Sequence, residues 1–302
     1  MKRRDFLKRG LSVGFIAGTT FTINPYNSFA GNQNNYDMIA IRGGSASSMF
    51  DRAIEEYGGM KRFVSKGQTV VVKPNIGWDA NPERAANTNP ELVARIVKHC
   101  QAAGAKDVYV FDHTCNEWTK CYQNSQIEGA VKKAGGKMVM GNSKKYYHDV
   151  NIPDGKKLTS AQVHELILES DVFINVPVLK NHGGANMTVS MKNLMGIVWD
   201  RGYWHRNDLH QCIADFSTWR NPDLTIIDAY RVMKRNGPRG VSVDDVVTMK
   251  AQLVGTDMVA LDTAAIKLFG REPGNVKYVG LAEAAGVGST NLEALNIARI
   301  KV

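Results

Sequence analysis

The chain has 302 residues, 43% of them hydrophobic and 22% charged, with a formal net charge of +9, a length that fits one large α/β domain or two small ones. Residues 1–30 hold five Lys/Arg and one Asp, so the remainder carries only about +5, with no basic run and no interleaved aromatic platform. This distribution argues against nucleic acid as a partner and is compatible with a small anionic ligand.

The chain opens with Lys2, Arg3, Arg4, Asp5, Phe6, Leu7 and Lys8, followed by an apolar stretch from Leu11 to Ile23 and by Ser28-Phe29-Ala30 before Gly31. A basic start, a short apolar run and a small-residue cleavage site read as a bacterial twin-arginine export signal. Residues 1–30 are therefore expected to be a signal peptide and residues 31–302 an α/β domain. The expected location is the periplasm, and the expected partner is the twin-arginine translocation machinery. Beyond the leader no apolar run is long enough for a bilayer, so no stable membrane span is expected after processing.

Asp37–Ile41 predicts a strand, and Ser45 opens a helix that Gly58-Gly59 ends. Thr69–Lys73 is a β-branched run that stops at Pro74-Asn75. Thr88-Asn89-Pro90-Glu91 starts a helix to about Ala103, with a capping residue and Pro at the first helical position. Val108–Phe111 predicts a strand delivering Asp112-His113, Thr119–Ala134 a helix, and Lys137–Met140 a strand. Gln162–Glu169 reads as a short helix and Val172–Val176 as a strand ending at Pro177, before a loop over Val178–Asn186. Met187–Met191 looks extended and Asn193–Val198 helical. Further on come a helix over Asp208–Trp219, a strand over Leu224–Ile227 ending in Asp228, and a strand over Val247–Val254. Helices over Met258–Phe269 and Val276–Ala285 precede a last strand, Leu295–Lys301.

Strands alternating with helices predict a three-layer α/β domain: a mostly parallel sheet with helices on both faces, and a smaller lobe of residues 178–245 over its strand ends. Ligands of such sheets bind beyond the carboxyl ends of the strands. Lys73–Asn75, Asp112–His113, Pro177–His182 and Asp228 all fall there. The densest polar segment, Pro177–Asn193, offers Lys180, Asn181, His182, Lys192 and Asn193 to one ligand. Asp112, His113 and His182 are weak candidates for a divalent metal. His205 and His210 lack the i, i+4 spacing of a zinc pair on one helix face. Trp199, Tyr203 and Trp204 either cover a pocket or pack on a loop, and Asp262 either faces the pocket or pairs with a buried lysine. The cysteines Cys100, Cys115, Cys121 and Cys212 match neither a zinc ribbon nor an iron–sulfur run, and a Cys115–Cys121 bridge is left open.

Lys73-Pro74-Asn75, Thr88-Asn89-Pro90, Asp112, Pro177-Val178-Leu179-Lys180 with His182, Lys192-Asn193-Leu194-Met195-Gly196, Ile227-Asp228, Gly237-Pro238 and Asp257–Asp262 together resemble the bacterial and archaeal DUF362 family. The resemblance spans about Ile39 to Ile300. Many members of that family are fused to ferredoxin-type cysteine modules, which this sequence lacks, so an iron–sulfur cluster is not expected. The combined expectation is an exported enzyme acting on a small anionic organic compound. Lys180, His182, Lys192 and Asp112 would do the chemistry, and a lysine lowered in pKa by its neighbours would be able to take a proton. Lys73, Asn75, Asn181, Asn193, Asp228 and Arg239 would bind the substrate. The alternative expectation is a non-catalytic cofactor- or metal-binding accessory protein of a redox system.

Overall fold

The computed structural model describes residues 35–302, so the twin-arginine expectation lies outside the described residues. In chain order the elements are β1 (Met38–Arg42), α1 (Ala46–Glu56), β2 (Thr69–Pro74), α2 (Pro90–Ala102), β3 (Asp107–Val110), α3 (Trp118–Asn124), α4 (Ile127–Lys133) and β4 (Lys137–Met138). Then come β5 (Tyr147–Asn151), β6 (Ser160–His164), α5 (Glu165–Glu169), β7 (Val172–Val176), β8 (Val178–His182), β9 (Asn186–Thr188), α6 (Ser190–Asn193) and α7 (Arg201–Arg206). The chain finishes with α8 (Leu209–Trp219), β10 (Leu224–Met233), β11 (Val246–Gly255), α9 (Met258–Phe269), α10 (Lys277–Ala284) and β12 (Ile297–Lys301).

The main sheet runs β12-β1-β11-β10-β7-β2-β3-β4, with β8 joined to β10 and β9 to β8. All of its central pairs are parallel except those of β11, which lies antiparallel between β1 and β10. Strands buried on both faces read as continuous apolar runs, and Val70, Val71 and Val72 show why. Val70 and Val72 join α1–α4 in one core, while Val71 joins α5, α6, α8, α9 and α10 in the other. The fold is thus three-layered and mostly parallel, as the alternation of elements implies. The described residues 35–302 form one compact unit, and segment 178–245 is part of it.

Side-chain caps open α2 and α9. Asn89 accepts from Glu91 N at the start of α2 (2.9 Å), and Asp257 accepts from Ala260 N at the start of α9 (2.9 Å). Four expectations need correction. The single helix over Thr119–Ala134 is two, because Ser125 Oγ donates to Tyr122 O and accepts from Ile127 N, and Gln126 turns left-handed (φ 61°). Gln162–His164 belongs to the β5–β6 hairpin, and the helix begins only at Glu165, where His164 Nδ1 caps Leu166 N. The loop over Val178–Asn186 is mostly the β8–β9 hairpin. Pro177 favours extended backbone before it, so the chain passes directly into β8. Finally, β10 continues past Asp228 to Met233, because β11 pairs along its whole length.

Candidate functional site

The parallel register sets Lys73 of β2 beside Asn175 of β7. Asp112 and His113 follow the end of neighbouring β3. The β8–β9 hairpin brings Lys180 and His182 over the same edge, α6 brings Lys192 and Asn193, and α7 brings Arg201 and His205. All of these side chains except that of Asn175 line one cavity of about 820 Å³. Asp262 of α9 fixes the start of α6, its two carboxylate oxygens accepting from Ser190 N (2.8 Å) and Met191 N (3.2 Å). Asp262 is therefore a remote cap for the helix that carries Lys192, neither a cavity residue nor a lysine partner.

The cavity floor is a closed polar network. Lys73 Nζ lies 3.0 Å from Asp112 Oδ1 and donates to Asn193 O (2.6 Å) and Asn193 Oδ1 (2.8 Å). Asp112 Oδ2 accepts from Ile76 N (2.6 Å). Asn75 Nδ2 donates to Asn193 Oδ1 (3.1 Å), and Asn75 Oδ1 accepts from Lys180 Nζ (2.9 Å), which also donates to Ala86 O. Burial disfavours both charges of the Lys73–Asp112 pair, pushing the ammonium down and the carboxyl up against their mutual attraction. Gly196 closes this floor, since a Cβ there would collide with the Asp112 carboxylate and the Lys73 ammonium.

Above the floor stand groups whose charge the protein leaves uncompensated. Burial pushes the Lys180 ammonium down to about 7, with Lys192 adding to the effect. Burial likewise lowers Lys192 to about 8, with Arg201 and Lys73 adding to the effect. Lys192 Nζ has no hydrogen-bond or ion-pair partner among the described residues. Arg201 is aimed by three contacts, donating to His113 O (2.8 Å), Thr114 O (2.8 Å) and Cys115 Sγ (3.5 Å), none of which cancels its charge.

Two imidazoles face this cluster in opposite tautomers. His113 Nδ1 donates to Val198 O (3.0 Å), so its Nε2 keeps a lone pair. His182 Nδ1 accepts from Ala185 N (3.0 Å), so its Nε2 carries the proton. Burial, then Arg201, lowers His113 to about 4, and burial, then Lys192 and Lys180, lowers His182 to about 2. Both are neutral at pH 7. Trp199 stacks on His113 (4.9 Å between centroids, 2° between planes), and His205 lies over His182 (6.5 Å). One ring can accept a proton or hydrogen bond and the other can donate one, beside three cations.

Of the residues expected from sequence, Lys73, Asn75, Asp112, Lys180, His182, Lys192 and Asn193 line the cavity, as does His113. Lys73 and Asp112 neutralise each other, so neither is available in the role expected of it. Asp228, Asn181 and Arg239 are placed elsewhere. Asp228 accepts from Asn89 N (2.7 Å) and Tyr230 N (3.0 Å), joining the start of α2 to β10. Asn181 Oδ1 accepts from Gly237 N (2.9 Å), and that turn reaches the cavity through Pro238 while Arg239 is exposed. Asp112, His113 and His182 are not gathered as metal ligands: among the described residues, no three or more His, Cys, Asp or Glu are arranged to hold an ion. Arg201 went unnoticed in the sequence because its role depends on carbonyls supplied by a distant loop. The nearby Trp199 and Tyr203 were its only local signal. All four cysteines are free thiols, and Cys115 lies at the cavity.

A family described as "Domain of unknown function (DUF362)" matches residues 70–267. Thylakoid-associated protein sll1697 of Synechocystis sp. is 25% identical over 258 residues, covering 83% of this chain and 78% of that protein. Among solved structures, the lactate racemase apoprotein of Thermoanaerobacterium thermosaccharolyticum is similar at a TM-score of 0.46 and 13% identity, covering 76% of this chain. A Thermotoga maritima protein is similar at 0.45 and 8%, covering 79%. The chain spans 56% and 58% of the lengths of those two.

Proposed function

The chain belongs to the DUF362 family, and from that premise we propose that it is an exported periplasmic enzyme that binds and transforms a small anionic organic compound in the 820 Å³ cavity. One observation carries the reading. Lys180, Lys192 and Arg201 share a cavity whose one deep carboxylate, Asp112, is already paired with Lys73. The other acid at the cavity, Asp200, caps α7 by accepting from Tyr203 N (3.0 Å). Burying cations without counter-charge costs several kcal/mol per ion in real proteins. A bound carboxylate or phosphate removes that cost, and it raises the lysine pKa values as it binds.

The imidazoles supply the chemistry in this reading. His182 Nε2–H donates to an oxygen of the ligand, and His113 Nε2 accepts a proton or a hydrogen bond. An anion beside Arg201 offsets the charge that depresses His113 and makes it a better base. Export rests on Arg3-Arg4 and the apolar stretch after them. No helix among the described residues is long and apolar enough to cross a membrane.

The test is thermal unfolding of the full chain against a panel of di- and tricarboxylates and phosphates. At least one should raise the melting temperature of the wild type and fail to do so for Lys180→Ala. No shift with any anion, or equal shifts in both proteins, contradicts the reading. Cell fractionation with Arg3→Lys/Arg4→Lys tests export, and the variant should be retained in the cytoplasm.

A further inference from the structure

Of the four lysines that line the cavity, Lys144 is exposed and the other three are held very differently. Lys73 Nζ has an aspartate and two asparagine oxygens, and Lys180 Nζ has Asn75 Oδ1 and Ala86 O. Lys73 thus has acceptors for all three of its hydrogens and Lys180 for two, which ties both amines to the cavity floor. Lys192 has no such partner, yet it stands on α6, whose first turn is pinned by Asp262. It shares the cavity with Lys180 and Arg201, which can anchor a carboxylate, and with His182, whose Nε2–H can donate to an oxygen.

We infer that Lys192 captures the carbonyl carbon of a 2-oxo carboxylate as a Schiff base, with the carboxylate held by Lys180 and Arg201. The inference rests on the anion-binding reading and names the substrate class of the same site. The lone pair of the neutral amine forms the C–N bond while the carbonyl π pair moves onto oxygen, which accepts the His182 hydrogen bond. One amine proton and one proton from the medium then leave with that oxygen as water, and the iminium keeps the second amine proton. Burial holds the Lys192 ammonium down at about 8, so a useful fraction of free amine is present at neutral pH. Excess cationic charge also favours proton release from Lys192 before attack.

The test uses the full chain, pyruvate as the probe and sodium cyanoborohydride, whose hydride reduces the iminium carbon and leaves a stable secondary amine. Peptide mapping of the wild type should place the adduct at Lys192. The rate there should exceed that at exposed lysines such as Lys61 by about tenfold or more, should saturate with pyruvate, and should fall when malonate competes. Lys192→Arg should lose the adduct while keeping the circular dichroism spectrum of the folded wild type. Adducts spread over exposed lysines, with Lys192 unmodified and malonate still bound, would overturn the Schiff base alone. No malonate binding and no adduct would overturn the anion-binding reading with it.

Discussion

Replacing Lys192 with Met should make the ligand-free protein more stable and blind to anions. The ammonium of Lys192 is lowered from 10.5 to about 8 by burial. A pKa unit corresponds to about 1.4 kcal/mol, so the charged form is disfavoured in the fold by roughly 3 kcal/mol. Part of the side chain meets water in the cavity, which screens its charge and reduces the figure to about 1–3 kcal/mol. Because the folded pKa is the lower one, the cost is fully present below about pH 8 and disappears as pH rises toward 10.5. Wild-type stability should therefore climb across that window, and the variant should lose the Lys192 share of the climb while keeping the share from Lys180, which burial lowers to about 7. At pH 7 the variant should melt a few degrees higher, at about 2–4 °C per kcal/mol for a domain of 150–250 residues. Circular dichroism melts at pH 7 and pH 10, with and without malonate, measure both effects. A variant that melts lower at pH 7, or that keeps the malonate shift, refutes the reasoning.

The floor of the cavity gives two further expectations. Asp112→Asn leaves Lys73 buried without its counter-ion and should cost about 3–5 kcal/mol in denaturant unfolding, and adding Lys73→Met should recover much of that loss. A single variant no less stable than wild type would mean that the pair does not hold the strand ends together. Gly196→Ala places a methyl against the same ion pair and should lower the melting temperature by several degrees, roughly 1–3 kcal/mol of overpacking. An unchanged melting temperature would show that the floor has room.

The sheet was legible where apolar runs are uninterrupted. Thr69–Lys73, Val172–Val176 and the capped start of α2 at Asn89-Pro90 announce themselves because burial on both faces and capping are local demands. The β8–β9 hairpin was not, because Pro177, Gly183 and Gly184 carry the composition of a loop. Its pairing with β10 is a long-range fact. The β5–β6 hairpin hid for a related reason: His148, Asp149 and Asn151 give it no apolar face to mark a strand. At the site, Lys180 and Lys192 were legible as members of the densest polar segment, Pro177–Asn193. Whether a lysine is free or paired is a different matter. The partner of Lys73 comes from the neighbouring strand's end and that of Lys180 from Asn75, so only the assembled edge separates Lys192 from the other two. Asp228 shows the converse, since a carboxylate at a strand end looked like a ligand group and serves to anchor α2.

The central claim is that protonated Lys180 and Lys192, with Arg201, hold an anion. Titration calorimetry of the full chain with malonate at pH 6.5 and pH 9 tests it most directly. With free-protein values of about 7 and about 8 for the two lysines, affinity should fall by about tenfold or more between those pH values and should be absent in Lys192→Met. Affinity that stays constant with pH, or that survives in the variant, contradicts it.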